Sequence, residues 1–229
     1  MEKTVGIIGG MGPMATNDLY NKIINNTMAK SDKEHLHVII DSNTKIPDRT
    51  AFIMNGGDNP SKALVRSALK LEYMGADFII MPCNTAHYFI EAIKNFADIP
   101  ILNIIEETAR YIEEKGYGKV LLLATEGTYK TDIYKQEFHK KAMELCYPDI
   151  EERQIINEAI YEVKSGDLSS YIKVLDIVER YRQKGVDSIV LGCTELPVLF
   201  KDKKLSIGVV DPTLVLAKAA VAYSLDANH

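Results

Sequence analysis

Short apolar runs alternate with longer amphipathic stretches along this chain. Thr4-Val5-Gly6-Ile7-Ile8-Gly9 is an apolar run closed by glycine, the pattern of a strand buried on both faces. The spacing of apolar positions from about Met14 to Lys30 predicts a helix, and His37–Asp41 reads as a second strand. A polar loop follows, carrying Pro47, Gly56, Gly57 and Pro60. Ser61–Met74 predicts a helix with Gly75 at its C-terminal cap. Asp77–Met81 and Pro100–Ile104 read as a third and a fourth strand. Strands alternating with helices build βαβ units, and these make a parallel sheet covered on both faces.

The pattern then repeats. Met74–Cys83 aligns with Lys184–Cys193, 110 residues on, and each copy reads Gly-x-Asp, a buried strand, a cysteine and a threonine. Val5–Gly12 aligns with Val120–Gly127 at an offset of 115, and Ile104–Thr108 with Val209–Thr213 at 105. Two copies of this length predict an α/β fold. It consists of two similar doubly wound lobes with parallel four-stranded sheets, related by internal pseudo-symmetry, with the active site in the cleft between them. The expected division is 1–102 plus 209–229 for the first lobe and 103–208 for the second. The helix Pro212–Leu225 would pack back onto the first lobe.

Composition narrows the function classes. The 229 residues are 46% hydrophobic and 26% charged, enough apolar material for real cores. With 27 basic against 32 acidic residues the net charge is −5, and no basic run marks a nucleic-acid surface. Lys201–Lys204 reads as a solvated loop. No apolar run approaches the ~18 residues of a membrane span. Met1–Val5 leads straight into a strand, leaving no room for a signal-peptide core. Three cysteines, Cys83, Cys146 and Cys193, give no disulfide framework and no Cys-x-x-Cys metal spacing. A cytoplasmic protein acting on a small molecule is expected, with no nucleic acid, membrane or metal.

Cys83 and Cys193 each follow a strand, at the carboxyl edge where open parallel sheets bind ligands. A helix beginning after each would favour a thiolate. Two pseudo-equivalent thiols suit inversion of a stereocentre: one takes the Cα proton from one face, the other delivers a proton to the opposite face. A thiol titrates near enough to neutrality to serve either role. Cys146 has no counterpart and reads as a small buried hydrophobe. Asn84, Thr85, Thr194 and Glu195 flank the cysteines and can cap helices or bind a substrate's carboxylate and ammonium. His87 reads as a packed helix residue. Gly10-Met11-Gly12-Pro13-Met14-Ala15 fits a dinucleotide fingerprint, with Asp41 as its acid. The matching turn, Ala124-Thr125-Glu126-Gly127, lacks it, which favours a turn that lets a small carboxylate approach the backbone. Arg49 and Lys164 lie 115 residues apart in corresponding regions, and two such cations can clamp a second carboxylate.

Gly9–Pro13, Ile46–Thr50, Pro82–His87 and Gly192–Leu196 together resemble the cofactor-independent aspartate/glutamate racemase family, and within it the aspartate racemases. The resemblance covers essentially the whole chain. It implies two α/β lobes, a homodimer, no cofactor, and Cys83 and Cys193 as the acid/base pair. It places Met11, Asn84, Thr85, Thr125, Thr194 and Glu195 around the substrate, with Arg49 and Lys164 on its side-chain carboxylate. Relatives with threonine for one cysteine work in one direction, so the two cysteines here imply reversible racemisation of L- and D-aspartate. Glu195 stands where the glutamate racemases carry a Thr-His run, which points away from glutamate. The alternatives are a glutamate or broader-specificity amino-acid racemase, a maleate cis-trans isomerase of the same superfamily, and a non-catalytic dicarboxylate-binding protein. A nucleotide-dependent oxidoreductase would rest on the Gly10 turn alone.

Overall fold

The computed structural model describes residues 2–201 and 203–225, apart from the side chain of Lys164. In chain order it runs β1 (Val5–Gly9), α1 (Pro13–Asn26), β2 (Val38–Ser42), α2 (Arg49–Asn55), α3 (Ser61–Tyr73), β3 (Phe78–Ile80), α4 (Ile90–Lys94) and α5 (Ile104–Glu114). It continues with β4 (Lys119–Leu123), α6 (Glu126–Thr131), α7 (Ile133–Lys140), β5 (Glu144–Cys146), α8 (Ile150–Ser165) and α9 (Tyr171–Gln183). The last elements are β6 (Ser188–Leu191), α10 (Leu196–Leu199), β7 (Gly208–Val210) and α11 (Pro212–Leu225). The chain divides into two compact units, Met1–Glu107 with Thr213–His229, and Thr108–Pro212.

The first unit holds a three-stranded parallel sheet in the order β2-β1-β3. The central strand β1 is buried along its whole length, as its unbroken apolar run requires. Of the expected fourth strand only one bridge forms, between Ile79 and Ile101. Ile79 N–H donates to Pro100 O at 2.8 Å and Leu102 N–H to Ile79 O at 3.0 Å. The next residue, Asn103, then turns the chain, its Oδ1 accepting from Ile105 N–H at 2.9 Å as α5 begins. A helix starting at Ile104 leaves no length for a strand, so this sheet has three strands rather than four. Leu64, Ala68 and Leu71 of α3 pack with Ile8, Ile79 and Met81 into its core. α11 belongs to the same unit: Lys3 N–H donates to Ser224 O at 3.1 Å, and Tyr223 meets Phe78 edge-on at 4.8 Å.

The second unit holds a four-stranded parallel sheet in the order β5-β4-β6-β7. Its central register repeats that of the first. Val5 faces Phe78 in the first sheet, and Val120 faces Ser188 in the second. These are the pairs that the offsets of 115 and 110 relate. The third offset is corrected. Ile79 bridges Ile101, whereas its equivalent Ile189 faces Val209, and α5 begins at Ile104 where α11 begins at Pro212. The copies there lie 108 residues apart, not 105. The apolar pair Ile104-Ile105 opens a helix and Val209-Val210 closes a strand, and two apolar residues alone do not tell these apart.

The repeated Gly-x-Asp has a structural reason. The Asp77 carboxylate accepts from Thr4 N–H at 2.7 Å, just before β1. Asp187 accepts from Gly118 N–H at 2.7 Å and Lys119 N–H at 3.1 Å, at the start of β4. In each copy the aspartate entering the third strand satisfies backbone donors where the central strand begins. Among the described residues, no helix is long and apolar enough to cross a membrane.

Candidate active site

At the carboxyl end of the first sheet, β1 runs into the turn Gly9-Gly10-Met11-Gly12. Gly10 adopts φ +87°, and a Cβ there would fall 2.3 Å from the Asn43 backbone. Thr16 of α1 folds back on the turn: it accepts from Gly10 N–H at 2.9 Å and donates to Gly12 O at 3.0 Å. Gly10 is thus required by the approach of the chain after β2, a structural reason for this glycine that needs no nucleotide. The ribose-binding candidate, Asp41, is paired with Lys70 at 3.7 Å.

Arg49 opens α2, directly after Asp48, whose side chain accepts from Ala51 N–H at 2.7 Å. Its guanidinium donates to Pro47 O at 2.9 Å and reaches Met11 O at 3.5 Å, while its Nε is buried without a hydrogen-bond partner. Met11, Ile46 and Cys83 share one buried apolar cluster. The Phe52 and Phe89 rings, 5.6 Å apart, pack α2 against the turn of helix that follows Cys83. The structure therefore brings Met11, Arg49, Cys83, Asn84 and Thr85 together at one edge of this sheet. Cys83 is 8% exposed, and Asn84 and Thr85 are buried.

The helix expected after Cys83 is a five-residue 3-10 turn, Thr85–Phe89, continued by the short α4. His87 lies on it, fully enclosed. Its Nε2 accepts from Ile104 N–H at 3.2 Å, so the ring proton sits on Nδ1, which donates to Cys83 O at 2.9 Å. Burial pulls its pKa down to about 4 and holds the ring neutral.

The second unit presents the matching edge. β4 leads through Ala124 to Thr125, the residue preceding α6, whose hydroxyl lies 3.2 Å from that of Thr128. The Tyr129 hydroxyl accepts from Ala124 N–H at 2.9 Å and donates to Leu122 O at 3.0 Å, fixing this strand end. Gly192 N–H donates to Leu123 O at 2.7 Å. A Cβ on Gly192 would meet Leu122 Cδ1 at 2.7 Å, so glycine lets the two strand ends close up. This sets the half-buried Cys193 and the buried Thr194 beside the end of β4. The Cys193 thiol donates to Glu195 Oε2 at 3.0 Å, and the Thr194 hydroxyl donates to the same oxygen at 3.2 Å. The helix expected after Cys193 is the four-residue α10. Lys164 stands in the last turn of α8, and its side chain lies outside the described residues.

Cys146, on the edge strand β5, has its thiol pushed up by burial and by Glu144, 3.7 Å away. Among the described residues, no group of three or more His, Cys, Asp and Glu side chains is placed to hold a metal ion. The sequence reading did not find the His87 bridge or the Cys193–Glu195 bond. The adjacency of a cysteine and a carboxylate two residues on was the available signal for the second.

The profile of the Asp/Glu/Hydantoin racemase family matches residues 8–220. The chain belongs to this family. It is 31% identical over 227 residues to the broad specificity amino-acid racemase RacX of Bacillus subtilis (strain 168), covering 95% of this chain and 96% of RacX. It resembles the solved aspartate racemase of Picrophilus torridus with a TM-score of 0.87 and 32% identity, covering 97% of this chain and 94% of that one. It also resembles an aspartate racemase homologue from Pyrococcus horikoshii OT3, with a TM-score of 0.82 and 30% identity over 98% of this chain and 100% of the other. Membership of this family implies a small amino-acid substrate.

Proposed function

We propose that the chain is a cofactor-independent amino-acid racemase that interconverts L- and D-aspartate, with Cys83 and Cys193 as its two bases. The observation that carries this reading is their matched placement. Each cysteine stands just beyond the third strand of its repeat, on sheets of identical central register. One thiolate takes the Cα proton, and the electron pair left on Cα spreads into the substrate carboxylate. The other thiol gives its proton to the opposite face, leaving the two sulfurs with exchanged protonation. The opposite enantiomer enters from that exchanged state, so the cycle needs no outside reductant, oxidant or metal.

Arg49 and Lys164 hold the side-chain carboxylate in this reading, and Met11, Asn84, Thr85, Thr125 and Thr194 line the rest. The half-buried Arg49 guanidinium keeps Nε uncommitted, a donor for a bidentate carboxylate. The likeness to the Picrophilus torridus aspartate racemase supports the choice of aspartate. The name of RacX favours a second reading, a wider amino-acid range at the same two cysteines. The enzyme is read as a cytoplasmic homodimer.

The test is incubation with L-aspartate in D₂O without added cofactor, followed by the Cα proton signal and by chiral chromatography. Loss of the signal with appearance of D-aspartate is expected. Cys83→Ala and Cys193→Ala should each lower interconversion by about 100-fold or more, the usual scale for losing a positioned acid or base. Wild-type turnover by either variant would overturn the two-base mechanism. An intact signal with aspartate but loss with other amino acids moves the assignment to the broader racemase. Turnover of maleate alone makes the protein an isomerase, and binding without exchange makes it a dicarboxylate-binding protein.

A further inference from the structure

Glu195 is the point at which the two half-sites part. Two residues beyond Cys83 stands Thr85, a neutral side chain, and 110 residues later the same position is a carboxylate. Glu195 Oε2 accepts from the Cys193 thiol at 3.0 Å and from the Thr194 hydroxyl at 3.2 Å. We propose that Glu195 is a positioning residue for Cys193, holding that thiol protonated so that the two cysteines rest in unlike states. The inference rests on the two-base reading above.

A two-base cycle starts only when one sulfur carries a proton and the other does not. Two cysteines in like surroundings would spread over four protonation states, two of them idle. A carboxylate that accepts the S–H bond and repels a thiolate weights the ensemble toward one productive state. In that state Cys193 is the donor and Cys83 is the base.

Glu195 is a carboxylate bonded directly to this thiol. Cys193 packs against an apolar core contributed by β4, α8, α9, β6 and α10. Of the four carboxylates on α8, Glu151 and Glu158 are exposed, Glu152 pairs with Arg180 at 2.8 Å, and Glu162 accepts from the Ser170 hydroxyl. The side chain of Lys164, on the same helix, lies outside the described residues.

Alkylation of each cysteine by iodoacetamide against pH, followed by intact mass, tests this on the full chain without substrate. Cys193 is read in the Cys83→Ala/Cys146→Ala protein and Cys83 in the Cys193→Ala/Cys146→Ala protein. In these parents Cys193 should titrate at higher pH than Cys83. Glu195→Gln should lower the Cys193 midpoint by about one unit, raising its rate near neutrality roughly five- to tenfold, and should move Cys83 by less. Glu195→Asp, which keeps the charge, should stay near the parent. An unchanged Cys193 profile in Glu195→Gln, or equal shifts at both cysteines, overturns the assignment. Should Glu195→Gln not fold, the order of the two parent midpoints decides, and Cys193 titrating below Cys83 sinks it. Because no turnover is read, failure here is separate from failure of the racemase assay.

Discussion

His87 ties the Cys83 loop to the first turn of α5 through a single neutral tautomer. Protonating Nε2 would turn the acceptor for Ile104 N–H into a second donor and bury a charge. The folded ring titrates at about 4, whereas an unfolded histidine takes up its proton near 6.5. Between those values the unfolded chain binds more protons, so stability is lost as pH falls and is fully present above them. This residue should contribute a loss of about 2–3 kcal/mol between roughly pH 7 and pH 4.5. Urea unfolding at both pH values checks it: His87→Gln should shrink the acid loss by that amount, and an equal loss in wild type and variant would show that the ring does not drive it. The sequence read His87 as a packed residue but did not reveal the bridge, because Ile104 is 17 positions away and only contact fixes the tautomer. The Arg49 reach to Met11 O was hidden for the same reason, with 38 positions between them. Cys83 and Cys193 were legible because the duplication wrote their shared setting twice.

Elements were legible where the apolar period ran long and obscure where a few residues chose between two states. β1 announced itself by an unbroken apolar run, whereas Pro100–Ile104, broken by Asn103, yielded to the helix that Asn103 starts. The helices after the cysteines shrank to short turns, so capping signals alone overstated their length. The turn between β1 and α1 is the most constrained connection near the candidate site. Gly10→Ala would force a side chain into a left-handed backbone and within 2.3 Å of the Asn43 backbone, which has no flexible end to yield. A loss of about 3 kcal/mol or more is expected, enough to remove much of a domain's stability. Gly57→Ala, where a Cβ would meet Ala51 at an ordinary 3.4 Å, should stay within about 1 kcal/mol. Chemical denaturation of both variants measures the difference. Equal stability of Gly10→Ala and wild type would mean that the turn relaxes at little cost.

The whole chain is discontinuous in its folding units, since α11 completes the unit that β1 begins. Its apolar residues fall on every side, and Leu216, Ala217, Ala220 and Ser224 are buried, as for a helix that serves as core rather than surface. Lys3 binds Ser224 O, the Lys3 ammonium sits 4.0 Å from the Tyr223 ring, and that ring covers Phe78. Among the described residues, the apolar cluster formed by β4, α8, α9, β6 and α10 includes none from α11, and all four strands of this sheet precede Pro212. Ending the chain at Pro212 should therefore harm the two units unequally. β1 and β3 lose their cover and should lose amide protection by hydrogen exchange. β4 and β6 keep their partners and should stay protected, opening with their own local free energy. Limited proteolysis should then leave a resistant fragment near residues 108–212 and digest the rest. Racemisation should vanish, because Cys83 stands on the unit that opens. Equal protection of β1 and β4 in the truncated chain would show that the first sheet stands without its terminal helix. Loss of protection throughout would show that the two units fold only as one.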